Sequence, residues 1–254
     1  MSKVIVCYKW VADEKDIKIN PDLSVDTARA KGKISDYDRN AIEAGARAAS
    51  QLGGKAVGLT FGGSAARQSL KDAMSRGLDE CCWINAEEAA NADGAVTGRA
   101  LASAIKKIGG VSLVICAEGA SDTFARQTAP RIGALLDWPV ITSVRKIEVS
   151  GNAVTALRKL DDCLQTVKVE LPAVAAVLPE INEAPIPTLK AVLAAARKPV
   201  TEYKAGDLGI DFEPKVKNTG MRGYAMQRKN IMLQGTAAEK VKELITALKK
   251  EGVF

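Results

Sequence analysis

Four short apolar runs recur along the first half of the chain, and a segment with helical spacing follows each. The runs are KVIVCY at 3–8, AVGLTF at 56–61, CCWI at 81–84 and SLVIC at 112–116. A short apolar run without polar alternation reads as a strand buried on both faces. Residues 35–52 carry Ala41, Ile42, Ala44, Gly45, Ala48 and Leu52 at helical spacing, with Ser35 and Asp36 as capping candidates. Residues 65–76 place Leu70, Ala73 and Met74 on one face, and residues 92–108 form a third such segment closed by Gly109-Gly110. Strand–helix alternation of this kind requires a parallel sheet with right-handed crossovers. The expected fold is therefore α/β, with a doubly wound, mostly parallel sheet.

The pattern changes after Trp138-Pro139. VITSVRKIEV, Gly151-Asn152 and AVTALRKL read as a hairpin, with 164–169 pairing alongside it. PAVAAVLP at 172–179 reads as a buried strand that returns to the main sheet. Residues 182–189 are broken by prolines and lead into an Ala-rich helix over 190–197, ended by Pro199. From about 200 onward the chain is polar and loop-rich. It ends in a strand, NIMLQ at 230–234, and a helix with Ala238, Val241, Leu244, Ile245 and Leu248 on one face. The organisation read from this is an α/β domain over 1–199, with a hairpin insertion at about 140–170 and a projecting loop at about 182–198. Residues 200–254 hold too little apolar material for a core of their own, and read as an extension that wraps a partner or the main domain.

Composition limits the chemistry. Hydrophobic residues make up 47% and aromatics only 4%, so the core is built from Ala, Val, Ile and Leu. The chain has no histidine, which excludes His-based triads, a His general base and most zinc enzymes of the usual ligand sets. Five cysteines show neither a CxxC nor metal spacing, so reduced core residues are expected and no metal site. No nucleophile stands beside a base, so no catalytic residue is expected. The +6 charge is scattered and matched by 30 acids, which reads as a solvated surface rather than a nucleic-acid groove. No apolar run approaches the roughly 18 residues of a membrane span. The N-terminal stretch MSKVIVCYKW reads as a first strand rather than a signal peptide, and a cytoplasmic protein is the expectation.

One loop stands out. In SLVICAEGASDTFARQTAP at 112–130, the strand runs into Glu118, Gly119, Ala120, Ser121 and Asp122, and a helix is expected from near Thr123 to Leu136. Strand, small-residue turn and helix start together present amide N–H groups and a positive dipole end to an anion. In an open α/β sheet such turns line nucleotide sites. Ser35-Asp36-Tyr37-Asp38 reads either as a second wall of that site or as an ordinary helix cap. Phe61-Gly62-Gly63 reads either as a third wall or as a tight turn.

Five segments, taken together, carry a resemblance. They are CYKWVADEKDI (7–17), KISDYDRNAIEA (33–44), SRGLDE (75–80), ICAEGASDTFARQ (115–127) and the run 185–200. In this order they resemble the β subunit of electron transfer flavoprotein over nearly the whole chain. The likeness is closest to the branch encoded beside carnitine and acyl-CoA metabolism genes in anaerobically growing bacteria.

The resemblance implies an adenine-nucleotide-binding domain with a C-terminal extension packed on an α subunit. FAD in that α subunit carries electrons from acyl-CoA dehydrogenases, the donors of fatty acid β-oxidation, to a quinone reductase or another acceptor. The β pocket of ordinary members holds AMP. In electron-bifurcating members it holds a second FAD that takes a hydride from NADH, and both occupants remain open here. Carried over position by position, the pocket is Cys7, Ser35, Asp36, Tyr37, Asp38, Phe61, Gly119, Ala120, Ser121, Asp122, Thr123, Phe124, Ala125, Arg126, Gln127 and Thr128. Asp122 and Gln127 match the ends of an acidic-Gly-Asp-Thr-Ala-Gln type run common in relatives, while Thr123 to Arg126 replace its middle. Arg126 there offers a charge-assisted contact to phosphate. Leu189 matches the leucine that relatives insert into the partner dehydrogenase. The implied chain is an electron-carrier subunit rather than a catalyst by itself. The rival of another class is a stand-alone ATP-binding enzyme on the same fold, which lacks support from any Gly-rich phosphate fingerprint or metal-binding acid.

Overall fold

The computed structural model describes residues 2–224 and 228–253. Nine strands form one sheet: β1 Lys3–Cys7, β2 Lys55–Gly62, β3 Glu80–Asn85, β4 Val111–Ala117, β5 Val140–Ser150, β6 Ala153–Lys159, β7 Leu164–Glu170, β8 Ala173–Val177 and β9 Val200–Lys204. Their order across the sheet is β7-β6-β5-β8-β4-β1-β2-β3-β9. Every neighbouring pair from β5 to β9 is parallel, and β6 runs antiparallel between β5 and β7. The helices are α1 Asp36–Gln51, α2 Ser69–Ser75, α3 Gly94–Ile108, α4 Thr128–Leu136, α5 Leu189–Ala195, α6 Ala205–Leu208 and α7 Ala237–Lys250. Among the described residues, no helix is long and apolar enough to cross a membrane.

Alternation along β1 explains the double winding. Val4 and Val6 join the cluster built with Ala41, Ile42, Ala44 and Ala48 of α1 and with Leu70 and Met74 of α2. Ile5 and Cys7 point the other way, among Leu101 and Ile105 of α3 and Ile132 of α4. A strand with a helix layer on each face must be apolar at every position, which is why its sequence shows no alternation. Small residues let the layers close. A Cβ added at Gly45 would stand 2.1 Å from Val6 Cγ2, so α1 lies against β1 at a distance only glycine permits.

The chain divides into two compact units: Met1–Lys18 with Asp26–Met221, and Ile19–Val25 with Arg222–Phe254. The sequence reading ended the α/β domain at 199. In the fold, β9 instead pairs in parallel with β3 as the sheet's edge strand. Its sequence, VTEYK, is mostly exposed, so an edge strand here reads as loop. The following segment is held as well. Leu208 is buried, Ser103 Oγ donates to the Leu208 carbonyl at 2.7 Å, and the Arg99 guanidinium donates to the carbonyls of Asp211 and Glu213.

Two further expectations fail. Residues 230–234 form no strand; a short segment with three apolar residues becomes a strand only by pairing with a neighbour, and no sheet pairing reaches it among the described residues. The helix expected from Thr123 begins only at Thr128. Phe124 and Arg126 have φ of +44° and +56°, which no α-helix accommodates. Pro130 fixes the start, because proline fits only the first turn of a helix.

Candidate functional site

The sheet changes winding direction at β1, whose chain successors β2 and β3 lie on one side and β4 on the other. Ligands of open α/β sheets bind outside the carboxyl ends of the strands at such a point. Three segments meet there: the turn after β1, the start of α1 and the loop 118–127 after β4.

The loop is short and tied at several points. Glu118 N–H donates to the Val177 carbonyl at 2.9 Å and Phe124 N–H to the Ala120 carbonyl at 2.9 Å. The Glu118 carboxylate accepts the Ser143 N–H at 2.9 Å. Gly119 lies under the Phe124 ring, where an added Cβ would come within 2.7 Å. The αL turn at Phe124 folds its ring back against Tyr37, edge to face, with centroids 5.3 Å apart. The Arg126 guanidinium sits 5.1 Å from the centre of the Phe124 ring, with its Nε 3.9 Å from Glu118 Oε1.

Two bonds tie this loop to the opposite wall. Ser121 N–H donates to Ser35 Oγ at 3.2 Å, and the Lys9 ammonium pairs with the Asp122 carboxylate. Beneath them Asp38 is buried and accepts the Lys9 N–H at 2.8 Å. Burial pushes the Asp38 carboxyl up to about 7 against the lowering influence of that amide, of the Lys9 charge and of the Ser35 hydroxyl. Below the site floor, Cys7 and Cys116 are register partners on β1 and β4. Contact with the Cys7 thiol and burial hold the Cys116 thiol well above the usual range, so it is a packed thiol rather than a nucleophile.

Ser35, Tyr37 and Asp38 therefore stand together with Gly119 to Arg126. Asp36 belongs to the same helix start but turns to Lys33 and Arg39, at 2.8 Å each. Cys7 is buried on the α3–α4 face. The Phe61 ring packs on Phe212, 6.0 Å between centroids, in that same face's cluster. Gln127 accepts from the Arg131 guanidinium at 3.0 and 3.1 Å and closes over Gly94. Thr128 opens α4; because Pro130 has no N–H, Thr128 and Ala129 supply the amides of that first turn. Lys9 and Glu118 were absent from the expected pocket. Their signal was position, since each follows within two residues of a buried strand's carboxyl end. Among the described residues no group of three or more Cys, Asp or Glu is arranged to hold a metal ion.

A family model described as "Electron transfer flavoprotein domain" matches residues 22–208. Together with the nine-stranded α/β fold, that span defines the class of protein. The chain belongs to the electron transfer flavoprotein family.

Proposed function

We propose that this chain is the β-type subunit of a heterodimeric electron transfer flavoprotein, a cytoplasmic carrier of the acyl-CoA- and carnitine-linked branch. It binds an adenine nucleotide at the switch point of its sheet and docks a dehydrogenase, so that FAD in the α subunit takes up and passes on electrons. The observation that carries the reading is the convergence of Ser35–Asp38 with the 118–127 loop at the carboxyl ends of β1 and β4. The residues fit a nucleotide. Tyr37 and Phe124 form an aromatic edge for the base, Arg126 is exposed for phosphate, and the first-turn amides of α4 face an anion. AMP there is a structural ligand, whereas a flavin in the same pocket supplies hydride chemistry. This chain's own residues bind and orient, and no acid–base or nucleophilic machinery accompanies them.

The partner face is supported separately. Leu189 opens α5 and is 75% exposed, with Ile186 at 91% and Leu193 at 63%. Thr188 caps this helix by accepting the Ala191 N–H at 3.2 Å, and Ala195, not Leu189, anchors it in the core. Leu189 is thus free for a dehydrogenase pocket. Leu189→Ala should slow electron transfer from the cognate acyl-CoA dehydrogenase about ten- to a hundredfold. Melting temperature and nucleotide content should stay unchanged, and a large stability loss with normal transfer would refute the docking role.

The test of the whole reading is the absorbance spectrum and extracted nucleotide of the chain co-expressed with its α subunit. One flavin plus AMP supports the simple carrier. Two flavins, with NADH oxidation, favour the bifurcating form. A folded complex without nucleotide in this pocket would sink the reading.

A further inference from the structure

Two posts hold the segment that carries Leu189. After β8 the chain makes one 3-10 turn, Pro179–Ile181, with Ile181 packed against the core cluster that includes α1. Asn182 follows in extended conformation, with φ −164° and ψ 170°. It meets Asn40 of α1, and the two residues bond reciprocally. Asn40 Nδ2 donates to the Asn182 carbonyl at 2.6 Å and to Asn182 Oδ1 at 3.3 Å. Asn182 Nδ2 donates to the Asn40 carbonyl at 3.0 Å. The second post lies beyond α5. Ala195 is buried there, and the Lys198 ammonium donates to the carbonyls of Met74 and Leu78 at 3.0 and 2.6 Å, around the end of α2.

The span between the posts has little to hold it in place. Among the described residues, no backbone–backbone hydrogen bond involves residues 183–187. Pro185 and Pro187 have no N–H to donate and fix φ instead. The span is therefore stiffened locally, while its place on the domain comes from its ends.

The near end demands amides. Each side chain faces a main-chain carbonyl, which only accepts, so the atom that meets it must be a nitrogen. A carbonyl has two lone pairs, so the Asn40 oxygen can serve both its helix and the clasp. Bonds running in opposite senses between one pair of residues fix the direction in which the chain leaves α1 as well as its distance. The pair is 142 positions apart in sequence, so no local turn preference sets this geometry.

We infer that Asn40 is a positioning residue for the docking segment: with Asn182 it fixes where the span 183–188 begins, and thereby the pose in which Leu189 is offered to a dehydrogenase. This rests on the reading of Leu189 as the docking residue. Asn40 acts through Asn182 rather than by touching the partner, and it removes an ordering cost that a loose span would carry into the complex.

The decisive variant is Asn40→Asp. It keeps size and shape but sets a carboxylate oxygen against the Asn182 carbonyl, acceptor against acceptor. Asn182→Ala is the second variant; it leaves α1 untouched and removes the side-chain half of the clasp. Backbone 15N relaxation of the full-length chain reads the span. Order parameters at Asn182, Glu183 and Ala184 should fall from about 0.85 to below about 0.6 in Asn40→Asp, with a smaller fall in Asn182→Ala. Electron transfer from the cognate acyl-CoA dehydrogenase to the heterodimer reads the docking. Asn40→Asp should raise the KM for the heterodimer about fivefold to tenfold, and Asn182→Ala about twofold to threefold, with kcat unchanged in both. In a Leu189→Ala background, Asn40→Asp should raise KM by less than about twofold further.

Unchanged order at residues 182–184 in both variants would overturn the inference, because the clasp would then not hold the span. A mobilised span with an unchanged KM would overturn it too. So would a full additional loss in the Leu189→Ala background, which would mean that Asn40 acts elsewhere. If the wild-type heterodimer takes no electrons from an acyl-CoA dehydrogenase while Asn40→Asp still mobilises the span, the docking reading fails and the positioning of the span stands.

Discussion

The helices α1 and α7 carry the same kind of apolar stripe and meet opposite fates. The stripe of α1, with Ala41, Ile42, Ala44, Gly45, Ala48 and Ala49, is wholly buried, although its N-cap side chain makes no capping bond. By contrast, α7 has a complete capping box between Thr236 and Glu239, with none of its residues buried. Val241, Leu244 and Ile245 are 56%, 46% and 41% exposed. Good local signals thus mark the exposed helix, and poor ones the buried helix. Tertiary packing holds α1, whereas α7 is specified locally. A stripe states what a helix has to bury and is silent about what covers it. For α7 we propose that the cover is the α subunit.

The largest expected effect separates the covered region from the uncovered one by truncation. A chain ending at Met221 keeps every strand of the sheet and should retain a cooperative melt. A chain ending at Lys198 loses β9, which pairs with β3 from Cys81 to Asn85, and also loses the buried Leu208. It should lose the cooperative transition or the soluble yield. Both truncations should fail to co-purify with the α subunit. A stable heterodimer from the chain ending at Met221 would break the assignment of α7's cover.

A smaller contrast compares one leucine with one isoleucine. Ile42 is fully buried, so Ile42→Ala should cost about 2–5 kcal/mol and lower the melting point by roughly 2–4 °C for each kcal/mol. Leu244→Ala in the lone chain should change stability by less than about 0.5 kcal/mol. In the presence of the α subunit it should weaken association about ten- to a hundredfold. Equal destabilisation of the lone chain by both changes would erase the distinction drawn between the two helices.

The same contrast explains what was legible in the sequence. Strands buried on both faces, β1, β2, β4 and β8, announce themselves as unbroken apolar runs, and the hairpin β5–β6 by its Gly151-Asn152 turn. The edge strand β9 does not, since VTEYK needs only one neighbour and keeps its polar side chains in water. The strand expected at 230–234 is the reverse case, apolar residues without a mate. At the candidate site, the sequence singled out Ser35–Asp38, as either a wall or a helix cap, and Gly119–Arg126, as a loop at a strand's carboxyl end. The bonds that join them were not legible, because Lys9 and Asp122 lie 113 positions apart and meet only through the β1–β4 pairing. The late start of α4 at Thr128 is legible from Pro130, because proline fits only a helix's first turn.

The smallest effect tests where the covered region ends. Asp93 caps α3 by accepting the amides of Ala95 and Val96 at 2.9 and 2.8 Å on one oxygen. Its other oxygen accepts the amides of Lys215 and Val216 at 2.8 and 3.1 Å. Bonds to Val96 and the other amides hold its carboxyl below the usual range. A depressed native value means that the unfolded chain binds the proton more readily. The contribution of Asp93 is therefore complete above about pH 4 and is lost as pH falls through the native value. Asp93→Ala removes both the cap and the tether and should cost about 1–2 kcal/mol at neutral pH, with less effect in acid. Asn is a good N-cap but has only one oxygen. Asp93→Asn should therefore keep the Ala95 and Val96 amides protected from exchange while those of Lys215 and Val216 open, at roughly half the cost of the alanine change. Protection at Lys215 and Val216 equal to wild type in the asparagine variant would mean that the segment before Met221 is held by Arg99 and Ser103 alone. The covered region would then be secured by its contacts with α3 further upstream, and Asp93 would count only as a helix cap.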